Sequence, residues 1–385
     1  MGTLLVKNGT VVTASDEFVA DIYAENGKIV EIGKNLTIQA DTEVDATGKY
    51  VMPGGVDQHT HFNFKFGDAV VMGWETTTGA VAGGTTTVID FANQEIGKSM
   101  KASVDDYVSE KIEGKACCDY NLHTVVFESK DEIINEIEKL PEYGISTCKL
   151  FMAYKGHPQH CDDDTVLKAM MKAAPAGVTI MTHCENAEMI DVLQKQCLAK
   201  GQTEPYGHAV SRPPIVETEA TERAISLAKP GFEGAKYVCS PALRGQEDLD
   251  ALWDAINQGV LNAISSDHCG FNYSVHKQQG KDDFTMIPNG APGMQDRMQV
   301  VWTYGVATGK ISRQKYVEVC CTNPAKNNGI YPQKGSLSIG ADADIMIFDP
   351  DYEDVFSVKN SLQKGVSSRE FGRRLWKIYG HCRNG

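Results

Sequence analysis

From Val51 to about Thr322, short runs rich in β-branched and aromatic residues alternate with longer stretches whose apolar positions recur every three or four residues. The first pattern predicts strands and the second helices, because side chains repeat every two residues on a strand and about every 3.6 on a helix. Strands are predicted at Thr85–Phe91, Tyr120–Phe127, Ile145–Ala153, Val178–His183 and Asn262–Asp267. Helices are predicted at Ser103–Gly114, Lys130–Leu140, Asp164–Ala173, Ala187–Ala199, Glu217–Ala228 and Gln246–Gln258. Regular alternation of this kind implies parallel strands joined by helical crossovers. At this length the leading architecture is α/β, a TIM-like (β/α)8 barrel over residues 51–333. A doubly wound sheet is the alternative; it usually carries a glycine-rich phosphate loop after its first strand, and this chain has none.

Both ends carry a different pattern. Leu4–Thr13, Ala20–Ile32 and Thr42–Tyr50 read as β segments joined by turns such as Asn26-Gly27 and Thr47-Gly48. Lys334–Pro350 is similar, with Ile345-Met346-Ile347-Phe348 as its apolar run. Neither end has enough strands for a stable sheet alone. Residues 1–50 and 334–385 are therefore expected to pair into one small composite β-sandwich domain, with the barrel inserted between them.

Chemistry enters where the first barrel strand ends. Val51 and Met52 open an apolar run, Pro53-Gly54-Gly55 punctuates it, Val56 resumes it, and His59-Thr60-His61 closes it. On an extended segment His59 and His61 point to the same side. Two imidazoles at the C-terminal end of a strand are half of a metal site. A lone histidine there would read as an ordinary buried side chain bonded to backbone; the pair behind a Pro-Gly-Gly turn favours the metal.

Composition narrows the function classes. The apolar fraction is an ordinary 42% and no apolar run approaches membrane-span length. The N-terminus has neither the basic head nor the apolar stretch of a signal peptide. A net charge of −14 argues against a nucleic-acid partner. Eleven cysteines without a Cys-x-x-Cys fit reduced thiols and a cytoplasmic location better than a disulfide framework.

Further along come Cys148-Lys149-Leu150-Phe151-Met152-Ala153-Tyr154-Lys155, Thr182-His183-Cys184-Glu185-Asn186, Cys239-Ser240-Pro241-Ala242-Leu243-Arg244, Ser266-Asp267-His268-Cys269 and Ile287-Pro288-Asn289-Gly290-Ala291-Pro292-Gly293. Together with the His-x-His strand, and in this order, they resemble the dihydropyrimidinase and hydantoinase group of the amidohydrolase superfamily. The resemblance spans most of the chain and implies metal-dependent ring opening of a small cyclic amide or imide. Its implied cofactors are two divalent cations, Zn2+ by the nitrogen and oxygen ligand set, with a water between them that loses its proton readily. The implied ligands are His59, His61, Lys149, His183 and Asp267. Lys149 would act as a CO2-derived carbamate bridging both cations, a reaction of the neutral amine that burial favours. Asp267 would also be the base that moves the water proton to the leaving nitrogen, and Tyr154 the phenol that stabilises the oxyanion. Ser240 and Asn289 resemble positions whose backbone groups bind the ring amide. Without the resemblance, Lys149 reads as a lysine reaching solvent, Asp267 as a helix cap and Tyr154 as a barrel-rim residue. A homo-oligomer, dimer or tetramer, is also implied.

Dihydroorotase-like relatives place an arginine soon after the His-x-His pair to bind a carboxylate. Here Phe62-Asn63-Phe64-Lys65-Phe66 follows instead. With Phe151 it reads as an aromatic rim for an uncharged ring, such as a dihydropyrimidine or 5-substituted hydantoin.

One departure matters. Between Ala228 and Tyr237 stand only the eight residues Lys229–Lys236. Relatives carry there a strand with one more metal histidine, a helix and another strand, and a β/α unit takes roughly 30 residues. None of the remaining histidines, His123, His157, His160, His208, His268, His276 or His381, lies in the missing strand. The second cation site is therefore expected to be weakened. Three readings follow: a dinuclear cyclic amidase, a non-catalytic scaffold of the same fold, or a truncated copy with an opened barrel. Retention of the other five ligands favours the first.

Overall fold

The computed structural model describes the chain apart from residues 1, 67–68, 205, 229–245, 272–274, 277–278, 280–285, 287, 289, 353, 356–360, 363–373, 376–377 and 382–385. Strands β1 (Thr3–Val12), β2 (Glu17–Glu25) and β3 (Lys28–Gly33) form an antiparallel meander. Asn26 and Gly27, at φ 52 and 77, make the two-residue turn between β2 and β3. Both positions are left-handed, as the twist of such a hairpin requires, and these two residues adopt that region readily. Strands β4 (Thr42–Asp45) and β5 (Tyr50–Pro53) run parallel to β1.

The alternating region follows in chain order. Strand β6 (Gly55–His61) leads through the short hairpin of β7 (Lys65–Phe66) and β8 (Ala69–Val70) and helix α1 (Thr77–Ala82) to β9 (Thr85–Asn93). Helix α2 (Met100–Tyr107), β10 (Asp119–Val125), α3 (Asp131–Asn135), β11 (Thr147–Phe151), α4 (Asp163–Ala176) and β12 (Thr179–His183) continue it. Then come α5 (Ala187–Ala199), α6 (Tyr206–Val210), α7 (Pro214–Leu227), α8 (Gln246–Asn257), β13 (His268–Cys269), α9 (Arg297–Val301), α10 (Arg313–Val317) and α11 (Asn323–Asn327). The helix starts are written in side chains: Asp162 accepts the Thr165 N–H at 2.9 Å and Asn186 that of Met189 at 3.0 Å.

Six of these strands form one parallel sheet in the order β12-β11-β10-β9-β6-β13. Each strand pairs with its predecessor, and the last in sequence pairs back onto the first, so the sheet curls. Burial on both faces follows from the helices outside and the curl inside; β9 is buried from Thr85 to Ala92. Val88, Leu122, Leu150 and Ile180 pack with Ala169 and Ala173 of α4 in one apolar cluster.

The C-terminal part returns to the first sheet. Strand β14 (Ile345–Phe348) pairs antiparallel with β5, and past the small pair β15 (Asp354–Val355) and β16 (Arg374–Leu375), β17 (Ile378–His381) pairs with β14. The result is one seven-stranded sheet from both chain ends. It takes in Val51–Pro53, which the sequence reading assigned to the barrel.

Two expectations change here. Lys130–Leu140 is α-helical only over Asp131–Asn135 and continues as a 3-10 turn to Tyr143, with Pro141 unable to donate to an α ladder. The segment 262–267 is not a strand. Its backbone groups bond elsewhere: Ile264 N–H to the Val319 carbonyl at 2.9 Å and Ser266 N–H to the Asp57 carboxylate at 3.0 Å. Only His268 and Cys269 beyond it enter the ladder.

Candidate metal centre

The period of two on β6 sets His59 and His61 on one side, with ring centroids 5.2 Å apart. Phe91 from the adjacent β9 packs on both, at 4.6 Å from His59 and 4.7 Å from His61. Asp267 arrives from the end of the 262–267 segment. One of its oxygens, Oδ1, lies 3.3 Å from His59 Nε2 and 3.4 Å from His61 Nε2. Among the described residues this is the one group of three metal-ligating side chains, all its ligand atoms within 4.8 Å of one another. Asp267 sits next to no helix start, so it caps nothing.

Charge fits this use. Burial drives the His59 imidazole well below its ordinary pKa, and the Lys149 ammonium pushes the same way against the pull of Asp267. A neutral imidazole offers the lone pair that a cation needs. Enclosure pushes the Asp267 carboxyl up, but His59, His61 and Lys149 hold it below the usual carboxylate range. The donor set of two imidazoles and an ionised carboxylate, converging on one point, fits a divalent cation such as zinc.

Lys149, on β11, is 3% exposed and faces inward. Its ammonium stands 5.2 Å from the Phe151 ring centre and 5.9 Å from that of Phe91. Its field also depresses His123 and His183, which places it between β10 and β12 and rules out the solvent-reaching lysine. His183 ends β12, buried, with its Nε2 2.7 Å from Glu185 Oε2. That bond puts the ring proton on Nε2 and leaves Nδ1 as the free lone pair. Arg212 Nε stands 3.4 Å from the other Glu185 oxygen. Tyr154, partly buried after β11, has its ring 5.4 Å from His183 and 5.7 Å from Phe151. Burial pushes its phenol up to about 12, so it is a donor at neutral pH.

The backbone marks the same two residues. Among the described residues six other than glycine have φ in the left-handed region, and five of them are asparagine or aspartate, which tolerate it. The aspartate is Asp267 at 47, and the sixth is Tyr154 at 63, whose bulky side chain disfavours the region. Such strain costs about 1–3 kcal/mol, concentrates at functional sites and persists only where surrounding bonds hold it.

Other expectations sort as follows. His123 is no ligand: its Nε2 donates to the Gln58 carbonyl at 2.8 Å, Nδ1 faces the Thr147 hydroxyl, and burial pushes it down to about 3. His160 donates Nδ1–H to the Ala153 carbonyl at 2.9 Å, and His157 is exposed, so neither joins the cluster. Phe62 belongs to the core, 2% exposed against Trp74, and not to a rim. Phe64, at 5.9 Å from His61, and Phe151 remain beside the site. Ser240, Asn289 and the junction Lys229–Tyr237 lie outside the described residues.

Sequence reasoning missed Asp57, Asp90, Glu185, Arg212 and Arg297. Asp90 accepts the Phe62 N–H just beyond His61 at 3.3 Å and the Tyr107 hydroxyl at 2.5 Å. For Glu185 a signal existed, its spacing of two from His183; an isolated carboxylate such as Asp57 inside an apolar strand gave none. A cavity of about 150 Å3 adjoins His59 and Asp267 and is bounded by His123, Thr147, Gln58 and Asn328. A larger hollow of about 390 Å3 at the N-termini of α4 and α5 contains none of the cluster and is unrelated to its chemistry.

A curled parallel α/β sheet with a two-histidine, one-aspartate cluster at its strand ends defines a class of metal-dependent hydrolases. Comparison with known proteins gives the class its name. A sequence model of the Amidohydrolase family matches residues 50–368. A D-hydantoinase of Ralstonia pickettii is 39% identical over 403 residues, covering 91% of this chain and 87% of that protein. A dihydropyrimidinase of Arabidopsis thaliana is 35% identical, covering 96% of this chain and 79% of that protein. The crystal structure of dihydropyrimidinase from Brevibacillus agri NCHU1002 superimposes with a TM-score of 0.91 at 37% identity, covering 97% of this chain and 92% of that one. This chain belongs to the amidohydrolase family, in its hydantoinase and dihydropyrimidinase group. The 403-residue match is longer than the 385 residues of this chain, so positions of the relative are skipped here.

Proposed function

We propose that this protein hydrolyses a C–N bond of a small cyclic amide, opening dihydropyrimidines or 5-substituted hydantoins to N-carbamoyl amino acids. The observation that carries the reading is the approach of Asp267 Oδ1 to both His59 and His61 at 3.3 and 3.4 Å. His59, His61 and Asp267 would hold one divalent cation, Zn2+ by ligand type. Lys149, carboxylated to a carbamate, would bridge to a second cation, held otherwise by His183 through Nδ1. Cations bound there would polarise the ring carbonyl and lower the pKa of a water.

The protein's own groups supply the rest. Asp267 takes a proton from the attacking water and delivers it to the departing ring nitrogen. Tyr154 donates its hydroxyl to the carbonyl oxygen as negative charge develops. Phe64 and Phe151 offer apolar surface to the ring substituent, and backbone groups at Ser240 and Asn289 would bind the ring amide. For the architecture we propose a (β/α)8 barrel over 51–333 and a β-sandwich from 1–50 and 334–385, supported by the return of β13 onto β6 and by the shared seven-stranded sheet. A cytoplasmic homo-oligomer, dimer or tetramer, completes the proposal; the nine described cysteines are all free thiols.

The scaffold and truncated-copy readings are not favoured by the match to catalytic relatives over most of the chain. The test is metal analysis of the purified chain with hydrolysis assays on dihydrouracil and hydantoin, before and after chelation. Hydrolysis lost on chelation and restored by Zn2+ is expected. No hydrolysis of either ring by metal-loaded protein would overturn the reading.

A further inference from the structure

Asp267 is delivered by a segment, 262–267, that has no ladder of its own. Among the described residues, these bonds reach its backbone. Ile264 N–H reaches the Val319 carbonyl at 2.9 Å, and Asn323 Nδ2 donates to the Asn262 carbonyl at 2.9 Å. Arg297 Nη1 donates to the Ile264 carbonyl at 2.8 Å, and Ser266 N–H donates to Asp57 Oδ1 at 3.0 Å. The last two come from one buried ion pair. Asp57 is 0% exposed on β6, Arg297 is 4% exposed at the start of α9, and Arg297 Nε stands 3.6 Å from Asp57 Oδ2.

The same pair reaches the other arm of the site. Asp57 Oδ1 faces the His59 N–H at 3.5 Å, so one oxygen touches the backbone of a cation ligand and of the residue before Asp267. Arg297 also bonds the Thr85 hydroxyl at 3.2 Å and the Cys320 carbonyl at 3.3 Å. Gly55 leaves it the room: a Cβ there would fall 2.9 Å from Arg297 Nη2.

Burying two charges costs several kcal/mol per ion, and an apolar pair of similar volume often stabilises a core as well or better. Bulk stability therefore gives little reason for the pair. Geometry gives a reason, since Asp267 ends a segment without a ladder and turns there at a φ of 47, so side-chain bonds to that segment set where its carboxylate points. We infer that Asp57 and Arg297 are positioning residues that tie the 262–267 segment to β6 and hold Asp267 against His59 and His61. The inference rests on the proposed site and adds two residues that touch neither substrate nor cation.

The test uses the full chain and its Asp57→Asn, Asp57→Ala and Arg297→Lys variants, stripped of metal and titrated with Co2+. Visible Co2+ absorption, kcat and KM on hydantoin, and Tm are measured. Asp57→Asn keeps an acceptor for Ser266 but loses the charge facing Arg297, so kcat should fall about tenfold with KM nearly unchanged; Asp57→Ala should lose about a hundredfold, as small displacements of reacting groups do. In both, the Co2+ bands should shift, because Asp267 has moved in the coordination sphere. A purely structural pair would lower Tm and the active fraction but leave the bands of the folded protein in place. Unchanged bands with kcat within about threefold of the parent would overturn the inference. If Asp57→Ala does not fold, Asp57→Asn and Arg297→Lys decide the matter by the same readouts. Should the parent bind Co2+ yet open no cyclic amide, the functional reading fails, and the bands alone judge the positioning pair.

Discussion

Tyr154 and Asp267 both have a left-handed backbone, and in the proposed reaction one would donate a proton and the other accept one. Tyr154→Phe removes only the hydroxyl, a contact that matters when charge develops on the carbonyl oxygen. We expect kcat to fall about 10²–10³-fold with KM changed little, as for the loss of one oxyanion donor. Steady-state kinetics on hydantoin checks this, and an unchanged kcat would remove Tyr154 from its role. Glu185 calls for a different measurement. Its carboxylate fixes the tautomer and ring of His183, so Glu185→Gln should weaken the second cation about 10–100-fold and leave the first in place. Chelator competition resolves the two affinities; equal weakening of both would refute the assignment. His59 and His61 were legible in the sequence because a strand period of two needs no tertiary knowledge. Lys149 and Asp267 gained meaning only from the family resemblance. Asp57 and Arg297 stayed invisible because their partner backbone groups lie far off in sequence.

Among the elements, the strands from β9 to β12 and helices α4, α5, α7 and α8 could be read from periodicity, with boundaries shifted by a few positions. Asn262–Asp267 could not. Ala263 and Ile264 give it a strand-like composition, yet its hydrogen-bonding groups are spent on Asp57, Arg297, Asn323 and Val319. Competition of side chains for backbone groups leaves no trace in periodicity. The shortened junction after Ala228 works at this same level. In the proposed site the second cation would have one imidazole and the carbamate, whereas the first would have two imidazoles and Asp267. Dialysed protein should therefore hold closer to one cation per chain than two, with slow turnover. Grafting a relative's strand-helix-strand segment after Ala228 should raise both. Elemental analysis gives the ratio, and two tightly held cations with full activity in the ungrafted chain would contradict the expectation.

For the molecule as a whole, Lys334 ties the terminal sheet to the parallel sheet, beside the bonds that Gly54 and Thr86 make to Asp344. Its ammonium, 9% exposed, meets Asp119, just ahead of β10's interior, and Asp342 and Asp344 at 3.0 and 2.9 Å. Burial pushes Lys334 down, but Asp344 and Asp119 outweigh it and raise the group above its ordinary value. A raised pKa means that the pairing is intact throughout the neutral range and fails only as pH rises through the folded value in strong alkali. Asp342 also pairs with Lys28 at 2.6 Å, but Lys334→Met takes the cation from the buried Asp344 carboxylate and should cost about 3–5 kcal/mol. Thermal unfolding at neutral pH reads the loss; a Tm within about a degree of the parent would show that the carboxylates find other partners.

The seven-stranded sheet also sets a timetable. Strand β5 is synthesised early, but its neighbour β14 lies beyond the whole parallel sheet, so on the ribosome β5 waits with one row of N–H and C=O groups unpaired. An uncovered edge is a template for another chain, and contacts this distant in sequence form slowly. The vulnerable species of this protein is thus the nascent chain whose parallel sheet is made and whose last strands are not. Delivery of residues 345–381 is what closes that edge, because β14 pairs with β5 and β17 with β14.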